Sequence, residues 1–476
     1  MAFSNLSDFI KLLKERRVLV EVEEEVDPNL EITAIVEKVL EKRGPALLFK
    51  RVKGSDIPLV INLFGTDERM GMALGKKPAE IGEEIESWLK PVSPKGFLDK
   101  LRLIPKIAEL SSFFPKIVKS APCQEIIEEP NLYKFPHLKC WPKDAGRFIT
   151  LGLVFTKSLS GDQNCGIYRM QVFDKETCGM HWHPGKGGAL CYKEYKRAGK
   201  RMDVAVALGG PPEAIYAASA PLPQGFDEMI FAGFLRKRPI EMVNCKTVDI
   251  QVPAQAEIVL EGYIEGEREE GPFGDHTGYY SAPAEFPVFH LTLITHRKSP
   301  IYPATIVGRP PKEDVFLAKA TERIFLPFIK AIIPEIVDIN LPEEGAFHNC
   351  CIVSIKKSYP GQAKKVASAI WGLGQLSLTK VLIIVEEDVN VHNISEVSWK
   401  CFSNIDPKRD FLFTEGSVDI LDHASPYFGY GSKVAIDATK KTEEEGMCRE
   451  WPEEIKMYSG IEEMVEERWS DYRIEL

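Results

Sequence analysis

Glu267-Arg-Glu-Glu-Gly-Pro-Phe-Gly-Asp-His-Thr-Gly-Tyr-Tyr-Ser281 is the segment on which the reading of this chain turns. It sets Glu270 and Asp275 on either side of a Gly-Pro-Phe-Gly turn, with His276 beside the second carboxylate. Gly271 and Gly274 permit backbone angles that other residues avoid, and Pro272 fixes its own φ. A turn so constrained can hold two carboxylates in different surroundings, one ionised and one able to carry a proton. Taken alone, the segment reads equally well as a hairpin whose charges face water.

Working outward, strand signals dominate from about residue 145 to 310. Gly152–Thr156, Gly166–Phe173, Asp203–Leu208, Glu257–Glu261 and Val288–Ile294 are short apolar runs separated by Gly- and Pro-rich turns, as in a barrel or sandwich. Upstream, Ser7 is placed to cap a helix carrying Phe9, Ile10, Leu12 and Leu13. Val18, Val20 and Val22 then alternate with Leu19, Glu21 and Glu23 as a half-buried strand. A helix is predicted over 29–42 and a strand over Ala46–Val52. Downstream, Ile352–Ile355, a helix near 362–373 and Lys380–Val385 alternate as α/β structure. The charged tail, 452–470, is predicted helical, suited to cover a neighbouring domain or subunit. The chain therefore reads as mixed α/β and β. Residues 1–115 form an α+β domain, 116–310 a β-rich domain, and 311–476 an α/β domain with a terminal helix. A proline-punctuated stretch (Pro115, Pro122, Pro130, Pro136, Pro142) marks the first boundary.

Composition agrees. A length of 476 residues suits about three domains. Hydrophobic residues at 44% and charged residues at 27% predict large cores and no disorder. The net charge of −10, without an extended basic block, argues against nucleic acid as a partner. No secretory signal or membrane-spanning run is evident. The ten cysteines include no C-x-x-C pair and read as small buried hydrophobes in a reducing, cytoplasmic setting.

Other residues carry chemical potential. On the strand Asn164–Gln171, alternation places Ile167, Arg169 and Gln171 on one face and Tyr168, Met170 and Val172 on the other. An inward Arg169 must meet a carboxylate or phosphate, because burying it alone costs several kcal/mol; an outward one simply reaches solvent. His181-Trp-His183 sets two imidazoles on one side of an extended segment, with no plainly placed third ligand for a metal. Pro184-Gly-Lys-Gly-Gly188 offers backbone N–H groups and a lysine that suit a phosphate but lack Walker spacing; a solvated loop fits as well. Gly372-Leu-Gly374-Gln-Leu-Ser377 falls at a helix end and lacks the third glycine of a dinucleotide fingerprint.

Taken together, Asn164…Arg169, Lys186-Gly-Gly-Ala189, Pro221-Leu-Pro-Gln-Gly…Glu228 and Glu270-Gly-Pro-Phe-Gly-Asp275-His-Thr-Gly-Tyr-Tyr resemble the UbiD family of prenylated-flavin-dependent decarboxylases. Later landmarks, Ile306–Asp314, Asp406–Asp410 and Ala435–Lys440, extend the likeness over nearly the whole chain. The resemblance implies a central split barrel like those of flavin reductases and a terminal helix used in oligomerisation, as a dimer or hexamer. It implies prenylated FMN, with its phosphate held through Mn2+ or Mg2+ and K+ nearby. A flavin prenyltransferase would supply that cofactor. By the same resemblance Arg169, Glu270 and Asp275 are catalytic: Arg169 engages the substrate carboxylate or the flavin, Glu270 orients Arg169, and Asp275 protonates the carbon that has lost CO2. A neighbouring carboxylate and partial desolvation should raise the pKa of Asp275.

Cofactor contacts are implied for Asn164, Ile167, Tyr168 and Arg169, and for Lys186, Ser219, Pro221 and Glu228. Asn164 and Glu228 match two metal ligands. The usual histidine is Gly185 here, and His183 is the substitute within reach. The implied substrate is an aromatic or α,β-unsaturated acid. The Asp275-His-Thr-Gly-Tyr-Tyr run resembles the branch acting on quinone precursors such as a polyprenylated hydroxybenzoate or naphthoate, with transient contact to a membrane surface. Two alternatives stay open: a flavin-binding or assembly homologue with an altered metal site, and a flavin reductase.

Overall fold

The computed structural model describes residues 3–89 and 111–474. Leu6, Phe9, Ile10 and Leu13 recur at helical spacing, and the helix Leu6–Glu15 buries all four. Its cap is Asn5 rather than Ser7. Asn5 keeps extended backbone angles and accepts the Asp8 N–H at 2.9 Å, which leaves Ser7 inside the first turn. The next strand, Leu19–Val26, pairs in parallel with Ala46–Val52 on one side only. Being an edge, it buries Leu19 and Val26, packs Val22 and the preceding Val18 partly against the cores, and leaves Val20 exposed. The helix Glu31–Leu40 and the strand Ala46–Val52 form where the pattern put them. This sheet is completed by Leu59–Ile61 and by Tyr302–Ala304, a strand from far downstream that pairs with it in parallel.

The large central sheet runs Ile126–Glu128, Ala284–His296, Ile258–Glu270, Met202–Leu208, Phe148–Lys157, Gln163–Gln171, all antiparallel. Its inner strands read as nearly continuous apolar runs because both faces are covered. Leu153, Phe155, Ala205 and Ala207 pack into the core shared with the first helix, while Val154, Val204, Val206 and Leu260 pack into a second core. A seventh strand, Thr177–Gly179, pairs with Ala284–His296. It meets Gln163–Gln171 only through a tight turn and the isolated bridge of Val172 with Cys178. Among the described residues the sheet does not close into a barrel.

The last third builds a five-stranded sheet in the order Ile336–Asn340, Cys350–Ile355, Val381–Glu386, Tyr430–Asp437, Phe411–Ser417. Its middle three strands are parallel, with Gln362–Trp371 and Ile394–Asn404 as helices in the connections. The helix Glu313–Ile332 packs against Pro78–Leu89 and so ties this third to the first. The tail predicted helical over 452–470 is helical only over Ser459–Glu467, followed by a 3-10 turn at Trp469–Tyr472, and buries nothing. All ten cysteines are free and only Cys448 is exposed. No described helix is long and apolar enough to cross a membrane.

Candidate active site

The strand Gln163–Gln171 and the turn after Ile258–Glu270 meet as the alternation requires. Gln171 accepts the Gly271 N–H at 2.9 Å, pinning the turn to the strand. One step along the same face, Arg169 donates through Nε and Nη2 to Glu270 Oε1 at 2.9 and 2.7 Å. Its Nη1 donates to Asp275 Oδ2, and Nη2 also reaches Ser281 Oγ at 3.1 Å. The Phe273 ring lies 4.8 Å from the guanidinium. The Arg169 side chain is 9% exposed, which settles that it points inward. Two carboxylates around one buried guanidinium meet the requirement that such a charge be paired and hydrogen-bonded.

The surroundings of Asp275 reverse one expectation. Burial alone would raise its pKa, but the hydrogen bond from His276 and the charge of Arg169 outweigh burial and hold it well below the usual carboxylate range. His276 and Arg169 act on Asp275 more strongly than Glu270 does.

Each acid of the trio leads into a histidine pair. Glu270 Oε1 lies 2.8 Å from His181 Nδ1, and His181 Nε2 lies 3.0 Å from His183 Nε2. Asp275 Oδ1 lies 2.9 Å from His276 Nδ1, and His276 Nε2 lies 2.6 Å from His348 Nε2. His348 belongs to the C-terminal third, as does the buried Asp419, whose charge is felt by His183, His276 and His348. For His276, burial opposes ionisation, but the hydrogen bond and charge of Asp275 prevail and its pKa is raised. For His183 burial prevails, and its pKa falls to about 3. Beside these groups lies a cavity of about 640 Å³, within the range of ligand pockets. His181, Trp182, Ser281 and Phe286 line one side of it; Asp422 and Phe428 line the other.

The remaining site residues gather at the other end of the strand. Glu228 opens the helix Glu228–Arg236 and accepts the Cys165 N–H at 2.8 Å, next to Asn164. Burial pushes its pKa up to about 7. The helix Gly187–Ala198 starts so close to Asn164 that a Cβ on Gly187 would lie 1.9 Å from Asn164 Oδ1. Lys186 caps that helix, and burial lowers its pKa. The Tyr168 hydroxyl accepts the Gly188 N–H at 3.4 Å, and the Ile167 N–H donates to Ala218 at 3.2 Å, which brings the Ser219–Pro221 segment beside the strand. Ser219 itself bonds back to Tyr216. His183 does not join this end; its imidazole turns to His181. Oxygen donors from the half-buried Asn164 and the buried Glu228, with a helix N-terminus and a lysine alongside, fit a hard divalent cation and a phosphate.

Sequence reading missed His348 and Asp419. Neither lies in a motif, and only the folded C-terminal third carries them to His276. His276 itself was visible beside Asp275.

The fold and the comparisons with known proteins together define a carboxy-lyase of the UbiD class. The chain belongs to the family described as 3-octaprenyl-4-hydroxybenzoate carboxy-lyase: the models of its N-terminal, Rift-related and C-terminal domains match residues 10–89, 116–310 and 315–438. An uncharacterized protein of Archaeoglobus fulgidus is 51% identical, with 99% of both chains covered. Among solved structures, the UbiD-class enzyme HmfF of Pelotomaculum thermopropionicum in complex with FMN is 29% identical, with TM-score 0.81, covering 98% of this chain and all of that one. The closed form of Sedimentibacter hydroxybenzoicus vanillic acid decarboxylase is 26% identical, with TM-score 0.87 and full coverage of both.

Proposed function

We propose that this chain catalyses the reversible, non-oxidative decarboxylation of an aromatic acid of the quinone-precursor type, a hydroxybenzoate or naphthoate, with prenylated FMN as cofactor. The observation that carries the reading is the buried Arg169 held between Glu270 and Asp275 at the edge of an apolar cavity. Asn164 and Glu228 would hold Mn2+ or Mg2+, and Lys186 with the start of the Gly187–Ala198 helix would hold the cofactor phosphate. Ile167, Tyr168, Ser219 and Pro221 would contact the cofactor between the two ends. When bound, the flavin supplies the electron sink that side chains lack.

The chain's own residues then have distinct tasks. Arg169 binds the substrate carboxylate bidentately and turns it toward the cavity. Glu270, fixed by His181, holds the guanidinium in place. As the substrate carboxylate competes for Arg169, Asp275 Oδ2 loses its cationic partner, its proton affinity rises, and it can protonate the carbon from which CO2 departs. Trp182, Phe286 and Phe428 exclude water and accept an aromatic ring. A flavin reductase would leave the trio without a task.

The test is to produce the chain with a flavin prenyltransferase, then measure absorbance beyond the protein band and CO2 release from 4-hydroxybenzoate and 1,4-dihydroxy-2-naphthoate. Flavin absorbance with CO2 from either acid is expected. Full flavin loading with no CO2 from any aryl or unsaturated acid sinks the reading and favours an assembly role.

A further inference from the structure

We propose that His276 and His348 form a proton relay that refills Asp275, its outer half supplied by the C-terminal third of the chain. The proposal rests on the decarboxylase reading and assigns a task to residues that reading leaves idle.

Each turnover breaks the carbon–carbon bond to CO2 and forms a C–H bond at the same carbon, so one proton is consumed. Asp275 must therefore be recharged every cycle. Three groups hydrogen-bond to its carboxylate: the Arg169 guanidinium, the His276 backbone N–H at 2.7 Å and the His276 ring Nδ1 at 2.9 Å. Neither a guanidinium nor an amide releases a proton near neutral pH. The His276 imidazole does.

The next link is set by geometry. His276 Nε2 faces His348 Nε2 at 2.6 Å, and two bare nitrogens do not sit that close, so one proton lies between the rings. Asp419 stands beside the pair and acts on it through its charge: its carboxylate and a nitrogen of each ring lie within 4.8 Å of one another. The other charged groups facing the pair are Asp275 and Asp314, with Asp422 and His183 beyond. Apart from His183 these neighbours are acidic and favour a proton on His276, whereas burial and the charge of His276 lower the pKa of His348 to about 4. In sequence, Asp275 gives its proton to carbon and takes one from His276 Nδ1, while His276 Nε2 takes the shared proton from His348 Nε2. His348 Nδ1 is buried without a partner, so reprotonation of the pair and return of His276 to its Nδ1–H form follow when product leaves and the site admits water. Reversal carries the proton out during carboxylation. His276 touches the acid directly. His348 acts through it and is a positioning residue. The matching pair His181–His183 ends on Glu270, which only orients Arg169.

The experiment has two arms. In the first, nitrogen-15 NMR of the full-length, cofactor-free chain with labelled histidine follows the imidazoles from acid to alkaline pH. The relay requires His276 and His348 to titrate together in coupled steps, collapsing to one step in His348→Gln. In Asp275→Asn the His276 titration should move toward acid. Independent titration of the two rings overturns the relay. So does a joint shift of both signals with one equivalent of Zn2+, which would make the trio a cation site. In the second arm, the flavin-loaded His348→Ala variant is assayed for CO2 release from 4-hydroxybenzoate or 1,4-dihydroxy-2-naphthoate. A kcat lower by about tenfold or more, with KM unchanged and partial rescue by free imidazole, is expected. A kcat within twofold of the parent overturns the relay. If the parent itself releases no CO2, the decarboxylase reading fails, and the NMR arm alone decides whether the histidines share a proton.

Discussion

One strand carries two very different ends. At Arg169 each charged group has a protein partner: the guanidinium, Glu270, Asp275 and their histidines are joined by hydrogen bonds, with Glu270 Oε2 and His348 Nδ1 left buried and unbonded. At Asn164, roughly 17 Å away along the Gln163–Gln171 strand, the buried Glu228 receives a backbone N–H and no cationic side chain among its recorded hydrogen bonds. Burial therefore decides the fate of Glu228, whereas ion pairing decides that of Asp275. The fold neutralises its own charges around Arg169 and leaves the carboxyl of Glu228 without a cation beside Asn164.

The most direct way to break this contrast is Asp275→Asn. If the two ends are independent, turnover falls about 10²–10⁴-fold while flavin absorbance and cation content after purification stay at parent levels. Loss of flavin in that variant would show that the ends are one coupled unit.

Next in size is a stability effect at the other end. The folded pKa of Glu228, about 7, lies above its ordinary 4.5. Its contribution is complete below 4.5 and is lost as pH rises through about 7, because the folded state then must ionise a desolvated carboxyl. Cofactor-free Glu228→Gln should lack this loss and exceed the parent's stability at pH 8 by up to about 3 kcal/mol, with near equality at pH 4. Urea unfolding at both pH values measures it. Added Mn2+ should stabilise the parent at pH 8 and leave the Gln variant unmoved.

The same contrast explains what the sequence could reveal. Strand alternation was enough to put Arg169 and Gln171 on one face, and Gly-Pro-Phe-Gly enough to put two acids around a turn; burial of the arginine followed from pairing. The helix Glu31–Leu40 and the strands Ala46–Val52 and Cys350–Ile355 were legible from period alone. What was not legible depends on contacts between distant parts. The pKa of Asp275 was misjudged because His276 and Arg169 act on it more strongly than Glu270 does. His348 was invisible because 72 residues separate it from His276. Val20 was misplaced because alternation cannot say which side of an edge strand is covered. Asn5 and Ser7 are both good caps, and the chain's path into the helix chose between them.

Gly185 offers a smaller lever on the incomplete end. Its φ is +88°, and nothing lies within 4 Å of where a Cβ would project. A histidine there has room but must hold a left-handed backbone, at a cost of about 1–3 kcal/mol. Gly185→His should therefore lower the unfolding midpoint of the cofactor-free chain slightly, and raise retained Mn2+ and flavin if Asn164 and Glu228 lack a third ligand. If the parent already retains one equivalent of each, the substitution brings only the strain, and the altered-site homologue is excluded.

The smallest effect on the site is expected from the tail. Ile455 is fully exposed, Tyr458 is 83% exposed, and the helix Ser459–Glu467 has no buried residue. The tail touches the folded body through the ion pairs of Glu454 with Lys400 and Lys456 with Asp388, so a chain ending at Met447 should keep its cavity and lose only a little of its unfolding midpoint. Apolar residues displayed this openly on a charged segment are suited to lie on a second copy. Sedimentation of the parent should then give a dimer or larger assembly, and the shortened chain a smaller one. If mass is unchanged but the midpoint falls, the tail instead folds back on its own chain, and the separation drawn between the self-sufficient Arg169 end and the rest of the molecule must extend to the C-terminus.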